Sequence, residues 1–161
     1  MSIAFTIFGN DMSKPGSPVQ FHFQKSCPLP YRRTLKNFVV SIFKKEKQRL
    51  QELNIIFCAD EYLLTLNRQY LKHDFYTDIL SFPLSSPGEP LRGEIYISID
   101  RVRENAKTMG SFLTEELHRV IFHGILHFCG YKDKTLGDIR KMRILEDKYL
   151  NTYFNNKRIK A

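Results

Sequence analysis

The chain has 161 residues, 25 Lys plus Arg against 17 Asp plus Glu, a formal charge of +8 and 42% hydrophobic residues. That length predicts one domain, and the abundance of Phe, Tyr, Leu and Ile excludes a disordered, collagen-like or mucin-like chain. Cys27, Cys58 and Cys129 form no CxxC pair and are odd in number, which excludes a disulfide scaffold and suits a reducing compartment.

Ile3–Phe8 is aromatic and β-branched and is followed by Gly9-Asn10-Asp11, which predicts a strand; residues 10–18 read as loop and Val19–Phe23 as a second strand. From Thr34, the apolar positions Leu35, Phe38, Val39, Ile42 and Phe43 have helical spacing, with Lys44, Lys45, Lys47 and Arg49 opposite. This predicts an amphipathic helix ending near Gln51. Asn54–Cys58 reads as a buried strand, and Asp60 as the cap of a helix to Leu71. Thr77–Phe82 is a predicted strand stopped by Pro83, and Gly93–Ile99 alternates with period two. Asp100 is then placed to cap a helix from Arg101 to Met109, closed by Gly110. Thr114 is the expected cap of a helix running to Gly130, with Glu115 and Glu116 at its positive end. A last helix from Leu136 or Asp138 carries Ile139, Met142, Leu145 and Tyr149, and residues 155–161 read as a basic flexible tail. The order of elements predicts an α+β architecture, a mixed β-sheet covered by helices, in one domain over residues 1–154.

No apolar run reaches the roughly 18 residues that span a bilayer, and the amino terminus lacks a basic region ahead of its apolar stretch, so a soluble, unprocessed chain with no membrane partner is expected. The positive charge fits a polyanionic partner such as nucleic acid, and fits equally a basic protein without one.

Chemistry concentrates in His123-Gly124-Ile125-Leu126-His127-Phe128-Cys129-Gly130-Tyr131-Lys132-Asp133. Two histidines four apart on a helix differ by about 40° in direction, so both imidazoles leave one face and can hold one metal ion. Gly130 can adopt the left-handed conformation that ends a helix and turns the chain back, bringing Asp133 toward the histidines as a third ligand. Three protein ligands leave an open fourth position, the pattern of a catalytic zinc site. The spacing matches that of metzincin peptidases, with Asp in the last place. HxxxH alone is a weak signal; the helix context, the terminating glycine and the following carboxylate give it weight. His118 lies about 140° round the helix from His123 and reads as a surface or core histidine, and His22 and His73 read as structural. The Glu that serves as general base in HExxH peptidases is replaced by Gly124, which disfavours peptide hydrolysis; RNA cleavage makes a different demand, the neutralisation of non-bridging phosphate oxygens by metal and cations.

This stretch resembles the signature HGxLHLxGYDH of the YbeY-type endoribonuclease family, the bacterial rRNA maturation factors. Two further segments agree in order: Leu66–Pro83 resembles LNxxYRxxDxPTDVLSFP, and Gly93-Glu94-Ile95 resembles GDI before a strand. The resemblance implies a zincin-like α+β fold, one Zn²⁺ per chain and a cytoplasmic location. It also implies single-strand-specific RNA cleavage in late 16S rRNA 3′-end maturation and ribosome quality control, with rRNA and ribosomal subunits as partners. Carried over by position, the metal ligands are His123 and His127, and Asp133 stands where the family has a third His. Leu71 occupies the position of a family Arg that faces RNA; Arg68, about 60° away on the helix, and Lys72 are the candidate substrate-binding cations in its place. Asp78 and Glu94 either orient ligands or hold loops. The first alternative function is a non-catalytic, zinc-stabilised RNA-binding factor in ribosome assembly; the second is a metallopeptidase, which needs a base from elsewhere.

Overall fold

A computed structural model describes residues 16–160, so the expected strand Ile3–Phe8 lies outside the described residues. Four strands, β1 (Val19–Phe23), β2 (Leu50–Cys58), β3 (Ile79–Pro83) and β4 (Leu91–Ser98), form a sheet in the order β1-β2-β4-β3. β1 and β4 run parallel to β2, while β3 is an antiparallel edge strand whose Ile79 faces Ile97 and whose Pro83 faces Gly93. The helices are α1 (Arg32–Lys45), α2 (Asp60–Leu66) continued by a π-helical turn Asn67–Leu71, α3 (Ile99–Met109), α4 (Leu113–Phe128) and α5 (Leu136–Lys160). This is a mixed sheet covered by helices.

The apolar run Asn54–Cys58 is explained by burial on both faces, the expected condition of a central strand with parallel neighbours. Ile55, Phe57, Ile95 and Ile97 pack into the main core with Leu35, Val39 and Phe43 of α1, Ile121 and Ile125 of α4, and Met142, Tyr149 and Tyr153 of α5. Ile56, Cys58 and Tyr96 alternate to the opposite face and meet Leu63 and Leu66 of α2. Glu94 lies on this second face, where it accepts the Tyr96 hydroxyl at 2.9 Å.

Several element ends differ from expectation for identifiable reasons. α1 stops at Lys45 rather than near Gln51: Lys47 takes a left-handed φ of 57°, and Leu50 joins the sheet opposite Leu91. The cap of α3 is Ser98, whose hydroxyl accepts the Arg101 N–H at 3.2 Å. Asp100 instead binds Lys25 Nζ at 2.5 Å and accepts the Asp60 N–H at 3.0 Å, tying α3 to the start of α2. Asp60 therefore sits inside the first turn of α2, where its carboxylate receives the Ser98 hydroxyl at 2.6 Å and Arg101 Nε at 2.7 Å. α4 begins after Phe112 with no side-chain cap, so Thr114 does not act as one. α5 continues as helix through Lys160. Among the described residues, no helix is long and apolar enough to cross a membrane.

Candidate metal centre

α4 presents His123 and His127 from its last two turns, and helix termination then supplies the third group. Gly130, at φ 93°, donates its N–H to the His127 carbonyl at 3.0 Å, while the Tyr131 N–H returns to Leu126 O at 3.1 Å. A residue with a Cβ is strained at that φ, so glycine permits the reversal. The loop is held from outside as well: the Tyr131 hydroxyl donates to Glu46 Oε2 at 2.8 Å, and the Tyr149 hydroxyl donates to the same carboxylate. Asp133 is thereby returned to the histidines.

The three ligating atoms converge. His123 Nε2 and His127 Nε2 are 2.9 Å apart, and Asp133 Oδ2 lies 3.5 Å from the first and 3.4 Å from the second. A tetrahedral ion with bonds of about 2.0–2.1 Å has ligand atoms about 3.3 Å apart, so this triangle has the size of one face of such a site. The distal ring nitrogens are engaged in the manner of metal-binding histidines. His123 Nδ1 donates to Glu146 Oε1 at 2.7 Å and His127 Nδ1 donates to the Tyr131 carbonyl at 3.0 Å, which leaves both Nε2 lone pairs directed at the centre. Burial disfavours a charged His123, but the Glu146 hydrogen bond and negative charge outweigh it and raise its pKa. The donor set and its orientation fit a metal ion.

Glu146 is itself positioned. It is 5% exposed, with Arg119 Nη1 at 3.5 Å and Arg143 Nη1 at 3.4 Å, and Arg119 also reaches Asp147 at 2.6 Å. A cleft of about 490 Å³ opens beside the triad, lined by Asp78, Asn105, Glu116, His123, Asp133 and Arg143 among others. Asp78 accepts Asn105 Nδ2 at 3.0 Å there. Burial raises the pKa of Glu116, with Arg119 at 3.6 Å opposing the shift. A larger hollow of about 1500 Å³ lies against Tyr31, Phe112 and Phe154; the ligating triad does not line it.

Gly124 has a packing role. A Cβ there would lie 2.7 Å from Ile79 Cδ1 and 3.0 Å from Ile95 Cδ1, so α4 rests directly on β3 and β4 at the residue after the first histidine. Any side chain at this position, the glutamate base of the HExxH kind included, would have to displace the terminal methyls of Ile79 and Ile95.

The remaining expected residues fall as follows. Arg68 pairs with Asp74 at 2.5 Å, both exposed, and Lys72 donates to the Gln69 carbonyl at 3.1 Å, next to a 43% exposed Leu71. Their segment runs through Thr77 to Asp78 at the cleft. His118 is buried with Nδ1 donating to Thr114 O at 2.6 Å; His22 bonds Asn54 at 2.7 Å and His73 stacks on Phe75. Sequence reasoning missed Glu146, Arg119 and Glu46. A signal for Glu146 was present, a carboxylate four residues after Met142 and three before Tyr149, on the apolar stripe of α5.

Comparison with known proteins agrees with this geometry. The family model described as Endoribonuclease YbeY matches residues 22–154. The chain is 49% identical over 123 residues to Endoribonuclease YbeY of Cytophaga hutchinsonii, covering 76% of this chain and 86% of that one. It is 44% identical over 135 residues to the Flavobacterium psychrophilum protein of the same name, covering 84% and 96%. The solution structure of TM1509 from Thermotoga maritima superimposes with a TM-score of 0.59 at 26% identity, covering 89% of this chain and 93% of that one. The fold is the zincin-like α+β type. With nearly all of the described chain matched in sequence and its fold shared, the protein belongs to the endoribonuclease YbeY family.

Proposed function

We propose that the chain is a zinc-dependent, single-strand-specific endoribonuclease of the cytoplasm, acting on rRNA in late 16S 3′-end maturation and ribosome quality control, with its catalytic domain in residues 1–154. The observation that carries this reading is the convergence of His123, His127 and Asp133 ligand atoms within 4.8 Å of one another, beside a cleft that His123 and Asp133 line, in a chain whose relatives are named endoribonucleases. When bound by these three residues, a zinc ion supplies positive charge to a phosphate oxygen and acidifies a water molecule. Glu146 and the Tyr131 carbonyl fix the ring orientations, and the cleft receives the RNA strand. Arg68 and Lys72 engage its phosphates from the exposed turn before Asp78, with Arg68 exchanging Asp74 for RNA.

The test is cleavage of a single-stranded 16S 3′-region RNA and of its duplex form by the purified chain, before and after chelation and with zinc restored. Chelator-sensitive cleavage of the single strand alone is expected; cleavage that survives complete metal removal refutes the reading. Replacing Arg68 and Lys72 together by Ala should slow cleavage about tenfold with zinc content unchanged, and unaltered cleavage removes them from substrate binding. One observation favours the alternative of an RNA-binding assembly factor without catalysis: Leu71 puts an exposed aliphatic group where the family resemblance expects an Arg. RNA binding that persists without metal, and no cleavage under any metal, selects it.

A further inference from the structure

Between α2 and β3 the chain displays an unusual density of exposed rings: Tyr70 is 46% exposed, Phe75 57% and Tyr76 48%, with His73 exposed among them. These rings are held. The buried Asn67 donates its Nδ2 to the Phe75 carbonyl at 2.9 Å and accepts the His73 N–H at 3.2 Å. The His73 and Phe75 rings stack at 5.1 Å and 21°, and the Arg101 guanidinium, anchored on Asp60, covers one face of Tyr76 at 4.7 Å. Fixed planar faces bind with little further loss of side-chain freedom. Lys72 lies between Tyr70 and His73 in the chain, Arg68 pairs with Asp74 between His73 and Phe75, Arg101 reaches in from α3, and Tyr76 precedes the cleft residue Asp78 by two positions, about 7 Å of extended chain.

We infer that His73, Phe75 and Tyr76 form a stacking platform for unpaired bases of the RNA strand that occupies the neighbouring cleft. The inference rests on the endoribonuclease reading. Planar rings beside cations are the recognition chemistry of single-stranded nucleic acid, because every base offers a π-face and every linkage a phosphate, and duplex RNA offers few free faces. Strand selectivity then arises at this loop rather than at the triad.

The experiment compares wild type with the Phe75→Ser/Tyr76→Ser variant, both zinc-loaded and matched in zinc content and Tm. Binding is measured by anisotropy on a labelled 2′-O-methyl decanucleotide, confirmed intact afterwards on a gel, and on the same strand with two abasic positions. The variant should bind the complete strand about 10- to 100-fold more weakly, and the wild-type preference for complete over abasic strand should collapse in it. A 5-iodouridine strand should crosslink to residues 73–76 of the wild type, which requires no variant. Equal affinity of the two proteins, with crosslinks confined to other segments, overturns the platform and marks the patch as protein-facing. Cleavage of an unmodified strand by wild type is assayed in parallel: its presence confines that failure to the platform, and its absence together with absent binding overturns the endoribonuclease reading as well.

Discussion

Glu146 is the most informative position for perturbing the centre without touching a ligating atom. Its carboxylate is 5% exposed and accepts His123 Nδ1 at 2.7 Å, a charge-assisted bond. Glu146→Gln preserves shape and an acceptor oxygen while removing the charge. Arg119 keeps Asp147 at 2.6 Å and Glu116 at 3.6 Å, so the substitution orphans no buried guanidinium. Hydrogen bonds to charged groups contribute about 1.5–3 kcal/mol and neutral ones about 0.5–1.5, so the loss is about 1–1.5 kcal/mol, roughly tenfold in zinc affinity. This lies at the lower edge of the roughly 10- to 100-fold effects seen when an outer partner of a metal-binding histidine is changed. Competition against a chromophoric chelator at pH 7.5 reads the affinity, and thermal unfolding with and without zinc provides a second measure through linkage. A variant that binds zinc within twofold of wild type, with the same zinc-induced rise in Tm, refutes the assignment of Glu146 as the residue that orients His123.

Gly124→Ala adds a methyl that meets the terminal atoms of Ile79 and Ile95, and the overpacking is offset by the roughly 1 kcal/mol that alanine gains over glycine inside a helix, so stability should stay within about 1 kcal/mol of wild type. Combining it with Ile79→Val, which removes the atom 2.7 Å away, should be more favourable than the sum of the two single changes, and strictly additive urea-unfolding energies would contradict the close-packing explanation. The Lys25 hydrogen bond holds the Asp100 carboxyl below its ordinary pKa, against the opposing effect of partial burial. A carboxyl with a lowered folded-state pKa stabilises the protein above its unfolded pKa of about 3.9, and that stabilisation is lost as pH falls through the folded value. Asp100→Asn should therefore lower stability by about 1 kcal/mol at pH 7 and by much less below pH 3; a difference independent of pH between 7 and 3 would rule the pairing out as its source.

The parts of the site that were legible are those set by local geometry. Four-residue spacing places His123 and His127 on one face whatever they pack against, and the glycine at 130 announces a left-handed helix end from its identity alone. Glu146 and Glu46 were less accessible, because the first meets its histidine across 23 positions and the second meets Tyr131 across 85. The caps illustrate the same limit. Asp100 and Asp60 are strong local candidates, yet Lys25 and Arg101 draw their carboxylates into contacts between elements, and Ser98 caps α3 instead. The π-helical turn after Leu66 opens on the buried Asn67, whose side chain donates to the Phe75 carbonyl, a contact that helical periodicity does not encode. Gly124 was read for the base it lacks, whereas its close approach to Ile79 and Ile95 emerges only once α4 is laid on the sheet.

Metal content by plasma mass spectrometry, on the untagged chain and on its Asp133→Ala variant, tests the three-ligand centre most directly. About one zinc per wild-type chain and well under half of that in the variant is the expected result, since removing one of three protein ligands leaves only the two histidines. No metal in either protein after zinc is supplied, or equal metal in both, would contradict a centre built from His123, His127 and Asp133.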